Sequence, residues 1–389
     1  MVAGHSHEGQ RPRASERTTT ILATLVGLIL FATAMGAAAV WPGDFSFRGS
    51  IASIPDGATW VGATVATVKP DGSATAVVHG EESRGPRAMV TLDDPTIVLH
   101  VGDDVRALEL TDGTLGFSDF ERGSPMLWLF VVYVVVVIAV ARWRGLGALL
   151  GLAAAFGVVL FFTIPALFDG GNALVVGLVT GSGALFVLLY LAHGPNARTT
   201  TAYLGTVAGL SVTALLGWWA VGASKLTGIW TEAHTQLEFF DRGVSLRGLV
   251  LCGIILAGLG VLNDVTVTQA SAVWELRAAR PDLGWRELFV RAMRIGRDHI
   301  ASTVYTIAFV YVGAALPTLM LVTLYGQSLG ITLTTSDIAE EIVRTLVGSI
   351  GLVLAVPLTT LIGALVVAGR SLAVETDTDG SRDVISATP

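Results

Sequence analysis

Eight apolar windows, each close to 20 residues long, leave this chain few ways to fold. A helix of that length rises about 30 Å, the thickness of a bilayer's hydrocarbon core, and satisfies its own backbone hydrogen bonds there. The windows fall at about 20–41, 125–141, 145–164, 173–192, 200–222, 248–272, 301–325 and 344–368. Only 14% of the residues are charged and the mean hydropathy is +0.67, where a soluble domain carries about 25% charged residues. The solvent is lipid. A net charge of −7 without a basic stripe excludes nucleic acid as a partner. The lone cysteine, Cys252, allows neither an internal disulfide nor a cysteine zinc cluster.

Basic residues in the short loops set the expected orientation. Arg11, Arg13, Arg17, Arg142, Arg144, Arg198, the six arginines from Arg277 to Arg297, Arg370 and Arg382 all fall on one side of the eight-span map. Apart from the long polar segment, the other side has only Lys225, Arg242, Arg247 and Arg344. Both termini are therefore expected in the cytoplasm of a multi-pass cell-membrane protein, with disordered tails at 1–19 and 370–389. The first window also reads as a cleaved signal peptide, because its basic start and "GAAAVW" offer a small-residue cleavage site. Either reading sends the following segment outside.

That segment, 42–123, changes character. The runs "ATWVGATVATV", "SATAVVHG", "RAMVTL" and "TIVLHVGDDVRALEL" are short, rich in β-branched residues and partly alternating. Turn signals separate them at Pro55–Gly57, Pro70–Gly72 and Thr111–Gly113. Five or six such strands fit a small barrel of the OB or SH3-like type. The expected fold is an all-α membrane bundle of about eight helices, with this extracytoplasmic β domain between the first and second and a seven-helix part at 124–369. The β domain is either a module that binds a ligand or partner, or a rigid cap.

No catalytic pattern appears. The sequence has no G-x-S-x-G, no Walker glycine loop and no His-x-x-x-His. His5 and His7 in the polar N-terminal tail are too sparse for a metal site, so neither enzymatic activity nor a metal or other cofactor is expected.

The sixth window is different because it contains a carboxylate. At a membrane helix centre an aspartate costs about 2.5–3.5 kcal/mol on insertion scales. Asp264 lies on a row with Gly253, Ala257, Gly260, Thr268, Ser271 and Glu275, spaced by fours and threes, and hence on one helix face. It sits about 24 Å from the outer end of its window, in the inner half of the bilayer. The row reads as one wall of a polar cleft and a proton or ion pathway; the plain alternative is an Asp bonded to nearby hydroxyls that fixes packing. Asp298, Ser302 and Thr306 form a matching row in the seventh window, where Pro317 breaks the helix. Gly205, Gly209, Thr213 and Gly217 read as a tight packing face. Glu341 and Arg344 are expected to pair at the outer surface, and Pro357 to interrupt the last window.

Between the sixth and seventh windows, Trp285, Leu288, Phe289, Ala292 and Met293 share a face while Arg286, Arg291, Arg294 and Arg297 lie on the other side or its margins. This predicts an interfacial helix near 283–299, capped by Asp282 and drawn to anionic lipid. Docking of a cytosolic partner is the alternative use of its arginines.

The order of first span, β module and bundle resembles the YibE/F family of multispan bacterial membrane proteins. The segments carrying the resemblance are the Asp264 helix, "GRDHIASTVYTIAFVYVGAALPTLML" at Gly296–Leu321 and "EEIVRTLVGSIGLVLAVPLTTLI" at Glu340–Ile362. It covers about Thr19–Gly369. The resemblance implies a permease-like membrane protein; Asp264 matches the family's acidic position and Arg297 with Asp298 its "GRD" motif, whereas Asn263 departs from the pattern. A shorter stretch, "NDVTVTQASAVWELR" followed by "GRDHIASTVYT", is similar to the SecD/SecF branch of the RND superfamily, which implies a proton pathway that moves an outer domain. Two functions follow as expectations. One is a secondary transporter or export factor driven by the proton gradient; the other is a non-transporting scaffold that presents its β domain to an envelope partner. The bilayer is the expected partner in both; the substrate stays open and a homo-oligomer is compatible with either.

Overall fold

The computed structural model describes residues 15–43, 57–69, 73–90, 97–229, 244–326 and 328–368. The two histidines of the N-terminal tail, both expected tails beyond these limits and the Pro70–Gly72 turn lie outside them. The chain divides into two compact units, 46–142 and the remainder.

The first unit holds the β segment. Strands β1 (Thr59–Val68), β2 (Ala74–Val78), β3 (Arg87–Val90), β4 (Asp104–Glu109) and β5 (Leu115–Phe120) close into a barrel in the order β1-β2-β3-β5-β4. The long β1 serves both neighbours, pairing through Thr59–Thr64 with β4 and through Ala63–Val68 with β2, across a bulge between Val65 and Thr67. The β3–β5 pair is parallel and the others antiparallel, the Greek-key arrangement of the OB type. The first three expected runs became β1 to β3 and the fourth yielded β4; β5, "LGFSDF", follows the expected Thr111–Gly113 turn. That turn needs Gly113 at φ +80° and is held by Asp112, whose Oδ1 accepts from the Thr114 amide and hydroxyl.

Alternate residues fill the barrel. Ala63, Val65, Ala76, Val78, Met89, Val105, Ala107, Leu115 and Phe117 are buried, and small alanines next to larger side chains fit a narrow interior. Outside, Arg87 bridges Glu81 and Glu109. Because this core is complete within the unit, the fragment Asp44–Glu121 is expected to fold alone as a soluble domain. Circular dichroism of the fragment checks this, and a helical spectrum or the lack of a cooperative melt would refute it.

The second unit is helical. Its elements, with the first part of α2 shared with the barrel unit, are α1 (Glu16–Ala39), α2 (Gly123–Val158), a π-helical turn (Val159–Thr163), α3 (Ile164–Phe168), α4 (Ala173–His193), α5 (Ala197–Ala223), α6 (Leu246–Ala279), α7 (Trp285–Ala314), α8 (Leu316–Tyr325), α9 (Leu329–Thr332) and α10 (Ser336–Ala368). Ser15, Asn172, Asn196 and Ser245 cap α1, α4, α5 and α6 by accepting amide hydrogens from the first turn. Among the described residues six helices are long and apolar enough to cross a membrane, and seven if the bent pair α7–α8 is one span. The windows at 125–141 and 145–164 fall on one helical stretch, Gly123–Phe168, interrupted at Arg142 with φ 56° and ψ −135°.

Helices α5, α6 and α10 form the centre. The glycine row of α5 packs as expected: Gly209 faces Ala355, Gly217 faces Leu251, Ile254 and Val347, and Thr213 is fully buried. At Gly205 and Gly351 the approach is closest, because the Thr359 and Thr213 side chains occupy the space a Cβ would need. Lipid offers little hydrophobic drive between helices, so backbone proximity and dispersion hold this interface.

Two expectations about breaks met different outcomes. A bend of 61° separates α7 from α8, with Pro317 in the first turn of α8. Pro357, in contrast, lies inside the continuous α10.

The interfacial helix is also revised. Residues 285–299 are the first half of one 30-residue helix, α7, and do not form a separate element. Its apolar face packs on protein: Leu288 and Ala292 are fully buried with Val273, Leu283, Ala364 and Val367, and Phe289 joins them. Trp285 is half-exposed with the Arg286 guanidinium over its ring at 5.3 Å. Asp282 does not cap the helix. It binds Arg280 through two hydrogen bonds of 2.9 and 2.7 Å, which hold its carboxyl at a pKa of about 2, and Gly284 occupies the cap position.

Candidate functional site

Helix α6 carries polar residues on two opposite faces. A residue advances about 100° per position, so Asp264 and Gln269, five apart, point about 140° from each other. One face is buried. Thr266 Oγ1 lies 2.6 Å from Thr206 Oγ1 of α5, and Gln269 Nε2 donates to the Ala292 carbonyl of α7 at 3.0 Å and to Thr360 Oγ1 of α10 at 2.7 Å. Gly296 lies against the Gln269 amide, where a Cβ would come within 3.1 Å of it. This clamp ties three helices to α6, as polar groups do when lipid offers no competing partner. A search for rows through Asp264 misses it, since Gln269 falls on the far side.

The other face is the row read from sequence. Ala257, Gly260, Asp264, Thr268 and Glu275 are all exposed, and Gly253 and Gly260 have no atom within 4 Å of the place a Cβ would take. Ser271 is half-buried and its hydroxyl turns back to the Val267 carbonyl at 2.8 Å. The Asp264 carboxylate has no hydrogen bond or ion pair among the described residues. Of the nearby hydroxyls, Thr266 is engaged with Thr206 and the Asn263 carbonyl, and Ser271 with its own helix. The Asp bonded to Thr and Ser hydroxyls, the packing alternative, is therefore not the arrangement found.

On α7, Asp298, Ser302, Tyr305 and Thr306 are likewise exposed, and Thr306 donates to the Ser302 carbonyl at 3.0 Å. No hydrogen bond or ion pair joins this row to that of α6 among the described residues. Asn263 Oδ1 and His299 Nε2 are both shielded from solvent without a hydrogen-bond partner. Farther along α7, Arg286, Arg294 and Arg297 are exposed, whereas Arg291 pairs with Glu287 at 2.7 Å.

The expected pair at the start of α10 is present with a different principal partner. Arg344 binds Glu340 at 2.6 Å, while Glu341 stands 3.9 Å away. Glu340 is four residues before Arg344 and almost fully buried, where an ion pair is least screened.

Six long apolar helices with a small separate barrel define a helical membrane protein. The YibE/F-like protein family model matches residues 129–369, and the chain belongs to that family. The match takes in the helices from within α2 to the end of α10 and leaves the barrel and α1 outside it. Neither the curated proteins nor the solved structures contain a match.

Proposed function

We propose that this YibE/F-like protein is a permease-like secondary transporter or export factor of the bacterial cell membrane, driven by protons through Asp264. The observation that carries the reading is the carboxylate on the open face of α6, without a partner among the described residues and beside Thr268 and the exposed Gly260. A carboxylate in an apolar span is costly, and it persists where it meets water, a partner or a proton. The opposite face, with its Thr266 and Gln269 clamps, supplies the rigid support against which the open face works.

In this reading the break at Arg142 divides Gly123–Phe168 into two crossings, α7–α8 is one bent crossing and the count is eight. Both termini then lie in the cytoplasm and the barrel outside. The scaffold reading draws on a different observation, the self-contained barrel core, and leaves Asp264 without a role.

Transport is tested by measuring uptake and efflux of a solute panel in deletion and complemented strains, with and without a protonophore. A solute whose distribution depends on the protein is expected, and the protonophore should erase the difference. Equal distributions of every solute, or a difference that survives the protonophore, would overturn proton-driven transport.

A further inference from the structure

A cavity of about 410 Å³ opens at the end of the bundle where α4 and α6 begin and α5 ends. Its size suits a small ligand group. Its lining includes Asn172, Ala173, Trp218, Ser245, Arg247 and Gly248. Among the described residues Arg247 is the single charged one in that lining, and no carboxylate contributes to it. The guanidinium makes no hydrogen bond or ion pair with any described residue, and its Nη2 lies over Gly222, where a Cβ would come within 2.9 Å. The guanidinium, on an exposed side chain, therefore lies against the end of α5 with no carboxylate partner among the described residues.

The backbone adds to the same sign. Gly248 brings the start of α6 against Ala173 at the start of α4, close enough that a Cβ at 248 would stand 3.0 Å from that of Ala173. Asn172 accepts from the Leu174 and Val175 amides and Ser245 from that of Gly248. The Ala173 and Arg247 amides of the first turns have no acceptor among the described residues. Two helices of 21 residues or more thus direct their positive ends to one place, beside an arginine that has no ion-pair partner among the described residues.

We infer that this cavity binds an oxyanion, a phosphate or carboxylate group, with Arg247 as the charged anchor and Trp218 at its edge. In the eight-span arrangement the cavity is at the outer end, where both a lipid phosphate and a small soluble anion reach it. The inference does not involve Asp264, and it holds or fails independently of the transport reading.

The test uses the purified full chain in a neutral detergent. Its Tm is followed while sodium phosphate replaces sodium chloride at constant ionic strength. In a second arm phosphatidylglycerol replaces phosphatidylcholine in mixed micelles. Saturable stabilisation by at least one probe is expected, because a ligand bound only by the folded state raises Tm. Arg247→Gln should weaken the apparent affinity about tenfold or more, since it removes a charge-assisted pair. Arg247→Lys should weaken it less, and Arg84→Gln on the barrel should leave it unchanged. Phosphate alone identifies a soluble anion, phosphatidylglycerol alone a lipid headgroup, and both an open oxyanion site. Stabilisation by neither probe, or an equal response from a folded Arg247→Gln protein, overturns the inference. If Arg247→Gln does not fold, Arg247→Lys with wild-type affinity for both probes does so too.

Discussion

Asp264→Asn is expected to abolish whatever phenotype the wild-type protein restores to a deletion strain, while the variant accumulates in the membrane at the wild-type level. The structure makes the second half of that expectation firm. Asp264 is exposed, has no hydrogen-bond partner among the described residues and adjoins an open face at Gly260, so an isosteric amide breaks no contact. Removing the charge also eases insertion, by less than the ~2.5–3.5 kcal/mol that an aspartate costs at a helix centre, because the amide is polar too. What the amide lacks is a proton to take up and release. Asp264→Glu keeps that capacity, and the open face accommodates the extra methylene, so partial rescue is expected. A packing residue gives the reverse pattern, with Asn tolerated and the larger side chain harmful. Complementation at matched abundance distinguishes the two, and full rescue by Asn would leave the scaffold reading ahead.

The second large effect concerns the centre of the bundle. In most helices Gly→Ala stabilises by about 1 kcal/mol through backbone entropy and propensity. At Gly205 the sign should reverse. A methyl there meets the Thr359 side chain and comes within 3.1 Å of the Thr359 Cα, so α5 and α10 must separate along their whole contact. Gly351→Ala meets Thr213 in the same way. Overpacking of this kind costs about 1–3 kcal/mol for a methyl and more for Gly205→Val. Each alanine variant should therefore melt below wild type in detergent, and the valine should be lost from the membrane. Gly348→Ala, with nothing within 4 Å of its Cβ position, should melt at or above wild type. A Gly205→Ala protein as stable as wild type would show that the α5–α10 contact yields without strain.

Residue pattern alone made much of this protein legible. The helical windows, the barrel segment and its first three strand runs follow from hydropathy and turn chemistry, which act locally. The faces of α6 were legible as geometry, because spacing by threes and fours fixes which residues share a side. Which side was buried was not legible, since a helix with polar residues on both sides has no unique inside. Sequence favoured the side with the carboxylate as the wall of a cleft. The packed helices instead enclosed Thr266 and Gln269 and left Asp264 open.

The same limit explains the other revisions. Arg344 had two glutamates within one turn, and burial of Glu340 decided between them. The amphipathic stretch from Trp285 had an apolar face that suits lipid or protein equally, and α6 and α10 supplied the protein. Asp282 had a helix start and an arginine within reach, and the two-point bond to Arg280 prevailed. Sequence by itself thus determined the membrane class, the apolar helical segments and the small barrel near the N-terminus, because hydropathy, periodicity and turn preference are properties of neighbouring residues. Tertiary structure alone decided which face each helix buries, which charges pair, and that Arg247 shares a cavity with two helix starts, because those outcomes depend on residues brought together from distant parts of the chain.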